Sequence, residues 1–306
     1  MHCIKSNFDK ILHVLTEVMG NDLPVTGTYL RPGPKPKFSD IEIIALSLTA
    51  EATGIISENH LFHILNSDYK LDFPNILSRR QYNDRLKNLF KIIEHVRNKI
   101  VSIMNHHTDV FAIDSMPMEI CKLSREHRST FSKGHDFESP GKGFCASQNR
   151  YFYGYKLHAI CSPVGVIQQF DLSNAKIHDV HYLKDISHTF RNCIITGDRG
   201  YISASIKKSL LEKCNISLQV PGRSNQNVKV KVPKTFRIVR KRIETIFSQL
   251  CAQFRIQINY AKQFTRYKTR ILSKITAMTV LQYLNYLRGI PVGKIKTALS
   301  DNSYSS

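Results

Sequence analysis

Three carboxylates in this 306-residue chain, Asp114, Asp198 and Glu244, sit where their type and setting could do chemistry. Asp198 follows Cys193-Ile-Ile-Thr196, a short apolar run that reads as a buried strand ended by Gly197. It therefore stands at a strand's carboxyl end, where open α/β sheets place their ligands. Asp114 directly follows Val110-Phe-Ala-Ile113, a second β-prone run, and precedes Ser115 and Pro117. Glu244 falls on a helix expected over about 236–254, whose Val239, Ile243, Ile246, Phe247, Leu250 and Phe254 recur at helical spacing. It borders that apolar stripe, where a side chain can reach a site between helix and sheet. Between Lys213 and Ser300 there are eighteen Lys and Arg but one acid, Glu244 itself. The competing reading is a surface pair with Arg240, worth a few tenths of a kcal/mol.

Carboxylate oxygens suit Mg²⁺ or Mn²⁺, which keep open positions for water and phosphate. Acids brought this close repel one another unless a divalent cation neutralises them. Two such ions, roughly 4 Å apart, activate an attacking water or 3′-hydroxyl and stabilise the leaving oxygen of a phosphodiester. The expectation is that the three carboxylates converge to within roughly 4–8 Å. The net charge of +20 and pI near 9.7 point to a polyanionic partner. A membrane surface is the rival polyanion. The N-terminus lacks the apolar core of a signal peptide, however, and the run Ile271–Ile290 is broken by Lys274, Gln282, Asn285 and Arg288. DNA is the expected partner, and no membrane. Seven cysteines without a Cys-x-x-Cys point to a reducing cytosol. Cys121, His127, His135 and Cys145 match no zinc module in spacing.

The elements that must position these acids follow in order. A helix is expected over 4–20. Ser39-Asp-Ile-Glu42 and Ser78-Arg-Arg-Gln81 are capping boxes, the second opening one long helix to about Met104, with Lys87, Lys91, Arg97 and Lys99 mostly outward. The texture changes at Asp109: a strand over 110–114, a long loop over 118–150, and an antiparallel hairpin over 151–172 turning at Ser162-Pro163. A helix from His178, the Asp198 strand, a helix over 203–214, a strand over 216–220, the Glu244 helix and a helical tail complete the chain. This order is that of a ribonuclease H-like fold, a mixed five-stranded sheet with flanking helices. Residues 1–107 would be a helical DNA-end-binding domain, 108–258 the catalytic domain, and 259–306 a basic helical tail packed on the catalytic domain.

Five motifs in order carry a resemblance: Ala112-Ile-Asp-Ser115, Tyr153-Gly-Tyr-Lys-Leu-His158, Ala175-Lys-Ile-His-Asp179, Gly197-Asp-Arg-Gly-Tyr201 and Arg240-Lys-Arg-Ile-Glu244. With them go acid spacings of 84 and 46 residues. The chain resembles DDE-type insertion-sequence transposases, most closely the insertion-sequence 982 family, from about Ser39 to Leu287. The resemblance implies metal-dependent cleavage and strand transfer of the element's DNA ends, with Asp114, Asp198 and Glu244 as catalytic ligands of two Mg²⁺ or Mn²⁺ ions. It also implies a homodimer on the terminal inverted repeats and target DNA, in a nucleoid-associated cytoplasmic setting. Arg240 matches the Arg of the related Tyr-x-x-Arg-x-x-x-Glu-x-x-x-x-x-x-Lys signature, whose Tyr and Lys positions hold Arg237 and Cys251 here. Candidate DNA contacts are Arg240, Lys241, Lys156 and Arg199. For Lys156 the alternative is a solvated strand residue, for Arg199 a salt bridge; His158, His178 and His181 read as structural or capping. A nuclease without strand transfer, or a non-catalytic DNA-binding protein, would use the same residue types.

Overall fold

Two serines start helices as their spacing predicts. In the computed structural model, which describes residues 3–29, 34–104, 108–132, 139–222 and 234–300, the chain begins with α1 (Ile4–Met19), α2 (Asp40–Ala52), α3 (Glu58–Ser67), α4 (Arg79–Asn88) and α5 (Phe90–Met104). The Glu42 amide donates to Ser39 Oγ at 3.3 Å, and the Ser39 amide donates back to Glu42 Oε2 at 2.6 Å. Ser78 and Gln81 make the same reciprocal pair at the start of α4. Each box satisfies two amides that a helix start otherwise leaves open, worth about 1 kcal/mol. The single long helix expected after Ser78 is two, because the backbone leaves helical geometry at Leu89 (ψ 8°). That break resets the phase of the following turn, and Arg97, expected on the outer face, is buried. His107 lies outside the described residues.

The strand-rich part is one six-stranded sheet with flanking helices, a ribonuclease H-like arrangement. Its strands are β1 (Val110–Cys121), β2 (Gly141–Cys145), β3 (Arg150–Cys161), β4 (Ile167–Asn174), β5 (Cys193–Thr196) and β6 (Ile216–Gln219). β1 lies between antiparallel β3 and parallel β5, and β6 runs parallel beyond β5. β4 and β2 share the far side of β3, β4 pairing with Tyr155–Cys161 and β2 with Arg150–Gly154. Phe111, Ile113, Ile195, Leu218 and Tyr201 form a core with Tyr182, Leu183 and Ile186 of α6 (Tyr182–Ile186) and Leu210 of α7 (Ala204–Cys214). The β-branched and aromatic content of these strands is what a buried pleated face selects.

β1 does not end at Asp114 but runs seven residues further, and the expected loop over 118–150 contains β2. The strand signal of β2 is hidden because its inward positions are Gly141, Gly143 and Cys145. A Cβ at Gly143 would lie 2.5 Å from the Ala175 carbonyl oxygen, so only glycine fits beside that backbone. Gly143→Ala is therefore expected to unseat β2 while leaving the global melting temperature within a few degrees. Hydrogen exchange should accelerate in the peptide spanning 141–154 and nowhere in β5 or β6.

α8 (Lys234–Ala252) carries Val239, Ile243, Ile246 and Leu250 on its buried face, as the stripe predicts. α9 (Phe264–Leu287) is buried at every side chain from Ile271 to Asn285, the pattern of a helix enclosed on all sides. The chain divides into two compact units: residues 1–104 with 250–261 and 265–306, and residues 105–249 with 262–264. α9 falls in the unit that holds the N-terminal helices. The reason is chemical. Lys274 Nζ donates to Glu51 Oε2 of α2 at 2.6 Å and to the Phe254 carbonyl at 2.7 Å, and Arg270 Nε donates to Glu51 Oε1 at 3.2 Å. Among the described residues no helix is long and apolar enough to cross a membrane.

Candidate active site

Register places the first two acids. The parallel pairing of β1 with β5 ends at Ala112 opposite Thr196. Asp114 comes two residues later on β1 and Asp198 two residues past the end of β5, near enough that the charge of Asp198 acts on Asp114. Asp114 is within β1, still paired to Ala159 of β3 on its other side, whereas β5 has stopped. Asp198 caps the tight turn Arg199–Tyr201, its Oδ1 accepting from the Gly200 amide at 2.8 Å.

Asp114 is half-buried. Its carboxyl is pushed up to about 7, first by burial and then by the charge of Asp198 with a smaller push from Asp179. The Ser115 amide, which donates to Asp114 Oδ1 at 2.8 Å, and the charge of Arg240 on α8 act the other way. The charges of the neighbouring acids thus act on Asp114, and Arg240 only partly offsets them.

Asp179 is the residue that the sequence reading passed over. A Cβ placed on Gly200 would lie 3.0 Å from Asp198 Oδ1 and 3.3 Å from Asp179 Oδ2, so both carboxylates lean on the same glycine. Lys156 Nζ donates to Asp179 Oδ1 at 2.8 Å and to the Ile177 carbonyl at 2.9 Å. That arrangement holds the ammonium half-buried, neither solvated nor turned to an open surface. Beneath it lies Tyr201, fully buried, with its hydroxyl raised by burial and then by Asp179, Asp114 and Asp198. His158 stacks on Tyr182 with ring centroids 4.7 Å apart, its Nε2 2.7 Å from Ser173 Oγ, and burial depresses it to about 4, so it stays neutral. His178 caps the turn at Asp179 by accepting from the Val180 amide at 3.4 Å. The only sequence signal for Asp179 was its place at the end of the Ala175–Asp179 motif.

Glu244 is exposed on α8, one turn beyond Arg240 on the same helix face. Lys241 and Arg199 are exposed as well, and Arg199 makes no ion pair among the described residues. α8 approaches the sheet through Arg242, whose Nε donates to the Pro163 carbonyl at 3.2 Å, and through Ile246, against Gly165. Among the described residues no three His, Cys, Asp or Glu side chains form a group that could hold a metal ion. Asp198 and Asp179 lie against the same glycine, and the charges of both reach Asp114, while Glu244 stands exposed on α8. Of the residues weighed as zinc ligands, His135 lies outside the described residues.

The donor set nevertheless fits Mg²⁺. That ion keeps several waters and takes one or two carboxylates plus substrate phosphates, so Asp114 and Asp198 suffice as protein ligands. Burial first, and then the charges of Asp198 and Asp179, disfavour the ionised Asp114, and a bound cation would offset both. Residues 105–280, more than half of the chain, match the family model described as "Transposase DDE domain". No curated protein and no solved structure matches the chain.

Proposed function

We infer the reaction from kinship: this chain belongs to the family of the transposase DDE domain, and we propose that it cleaves the ends of its element and joins them to target DNA. The observation that supports this best is the parallel pairing of β1 with β5, which ends two residues before Asp114 and Asp198. On this reading Asp114 and Asp198 hold divalent cation, with Glu244 completing the set when DNA draws α8 toward the edge. The metal, when bound, supplies activation of the attacking oxygen and stabilisation of the leaving one. Arg240, Lys241 and Arg199 orient the phosphates. Lys156 does not; it is engaged with Asp179. Two element ends need two such sites, so two copies of the chain act together.

A plasmid carrying the coding sequence in its native flanking DNA tests the proposal. Purified protein with Mg²⁺ should cut at one fixed position on each side and join those ends to a second plasmid. Cutting without joining would leave a nuclease. Cutting undiminished in Asp198→Ala would remove the acids from the chemistry.

A further inference from the structure

The stretch of sheet that the sequence did not announce has a surface of its own. Beyond the end of β5, the second half of β1, the first half of β3 and all of β2 continue as a three-stranded ribbon. One face of it is apolar and packed, with Cys145, Phe152 and Ala175 in contact. The other face carries Lys142 and Phe144 on β2 with Tyr151 and Tyr153 on β3. Phe144 and Tyr151 are direct cross-strand partners, 47% and 56% exposed, with ring centroids 5.1 Å apart. Lys142 Nζ stands 5.2 Å from the centre of the Tyr151 ring. An exposed aromatic pair at a sheet edge is a liability unless something covers it.

Charge says what covers it. Over the described residues of the ribbon and its turns, from Glu119 to Tyr153, Lys122, Arg125, Arg128, Lys142 and Arg150 face solvent against two acids, Glu119 and Glu126. Rings that present a π-face beside cations on a polycationic protein are the elements of a single-strand platform: bases stack on the rings and the cations track the phosphates. Position agrees. Tyr151 lies eight residues along β3 from Ala159, the register partner of Asp114, which at about 3.3 Å per residue is roughly 26 Å. That is a span of about eight base pairs at 3.4 Å each.

We propose that Phe144 and Tyr151, with Lys142, form a stacking site for unpaired DNA bases, displaced from the duplex whose phosphodiester lies at the acids. The proposal rests on the DNA reading above and adds to it where the DNA strands part. Sequence identity of the base is not read by such a surface; any base has a π-face.

The test uses the full chain and a mixed-sequence 20-mer containing 2-aminopurine, single-stranded and as duplex. The wild type should bind both and quench the single strand. Tyr151→Ala and Phe144→Ala should each weaken single-strand binding roughly 5- to 150-fold and abolish the quench, with duplex binding changed less than twofold. Tyr151→Phe, which keeps the ring, should behave as wild type, and all variants should keep the wild-type circular dichroism. Unchanged single-strand binding and quenching in both alanine variants would overturn the platform alone. If those variants instead turn a dimer into a monomer without touching DNA affinity, the rings belong to an interface between copies, and the platform is overturned too. A wild type that binds neither oligonucleotide would overturn the DNA reading together with it.

Discussion

Asp114→Asn should yield a protein that folds more stably than the wild type at pH 8 without divalent cation, yet has lost a thousandfold or more of its cleavage. Burial and the charges of Asp198 and Asp179 raise the Asp114 carboxyl to about 7, from about 3.9 in an unfolded chain. The unfolded state therefore releases this proton first. Stability falls as pH climbs from about 4 to about 7, and the penalty is complete above that window. Because Asp114 is only half-buried, solvent screening trims the penalty to about 1–2 kcal/mol. Asparagine removes it. Mg²⁺ should raise the melting temperature of the wild type at pH 8 and leave that of the variant unchanged, since the cation neutralises the same surplus charge. The loss of cleavage follows because a carboxylate that fixes a metal for phosphodiester chemistry supplies several kcal/mol of transition-state stabilisation. Melting curves at pH 5 and 8, with and without Mg²⁺, check the first part; plasmid nicking checks the second.

The largest stability effect is expected in the helical unit. Lys274 is fully buried and has two acceptors, Glu51 Oε2 and the Phe254 carbonyl. Burial lowers its ammonium, and Glu51 is the largest influence holding it up. Glu51→Gln removes the charge that both Lys274 and Arg270 use, and leaves an ammonium in the core. Breaking a buried pair from one side costs about 3–5 kcal/mol, near 10 °C at about 2–4 °C per kcal/mol in a domain of this size. Lys274→Met should cost less, because Arg270 still pairs with Glu51 at 3.2 Å. Glu51→Leu combined with Lys274→Met should recover much of the loss in urea unfolding. A single Glu51→Gln within about 0.5 kcal/mol of wild type would mean that water reaches this pair.

What was legible in the sequence was local. The capping boxes at Ser39 and Ser78 announce helix starts because the signal lies within four residues and needs no partner. The strand ahead of Asp198 and the stripe of α8 are equally self-contained. The hidden parts depend on the chain elsewhere. β2 reads as loop because Gly143 answers to Ala175, thirty-two residues downstream. Asp179 reads as an ordinary helix start because Lys156 and Gly200, which give it a place beside Asp198, come from two other elements. α9 reads as a basic tail, yet Lys274 and Arg270 are spent on Glu51, more than two hundred residues before them. Of the candidate site, Asp198 follows from a strand end, whereas Asp114 lies inside β1 and owes its place to the pairing with β5; the position of Glu244 depends on α8, whose approach to the edge its own sequence does not set.

Metal-directed radical cutting tests the central claim most directly. With Fe²⁺ in place of Mg²⁺, and DNA present, ascorbate and peroxide generate hydroxyl radicals that break the polypeptide beside the bound ion. Mass spectrometry of the fragments should place the breaks next to Asp114, next to Asp198 and on α8 around Glu244, and excess Mg²⁺ should suppress all three. Breaks that avoid residues 114 and 198, or that persist unchanged in the Asp114→Asn and Asp198→Ala variants, would contradict the account.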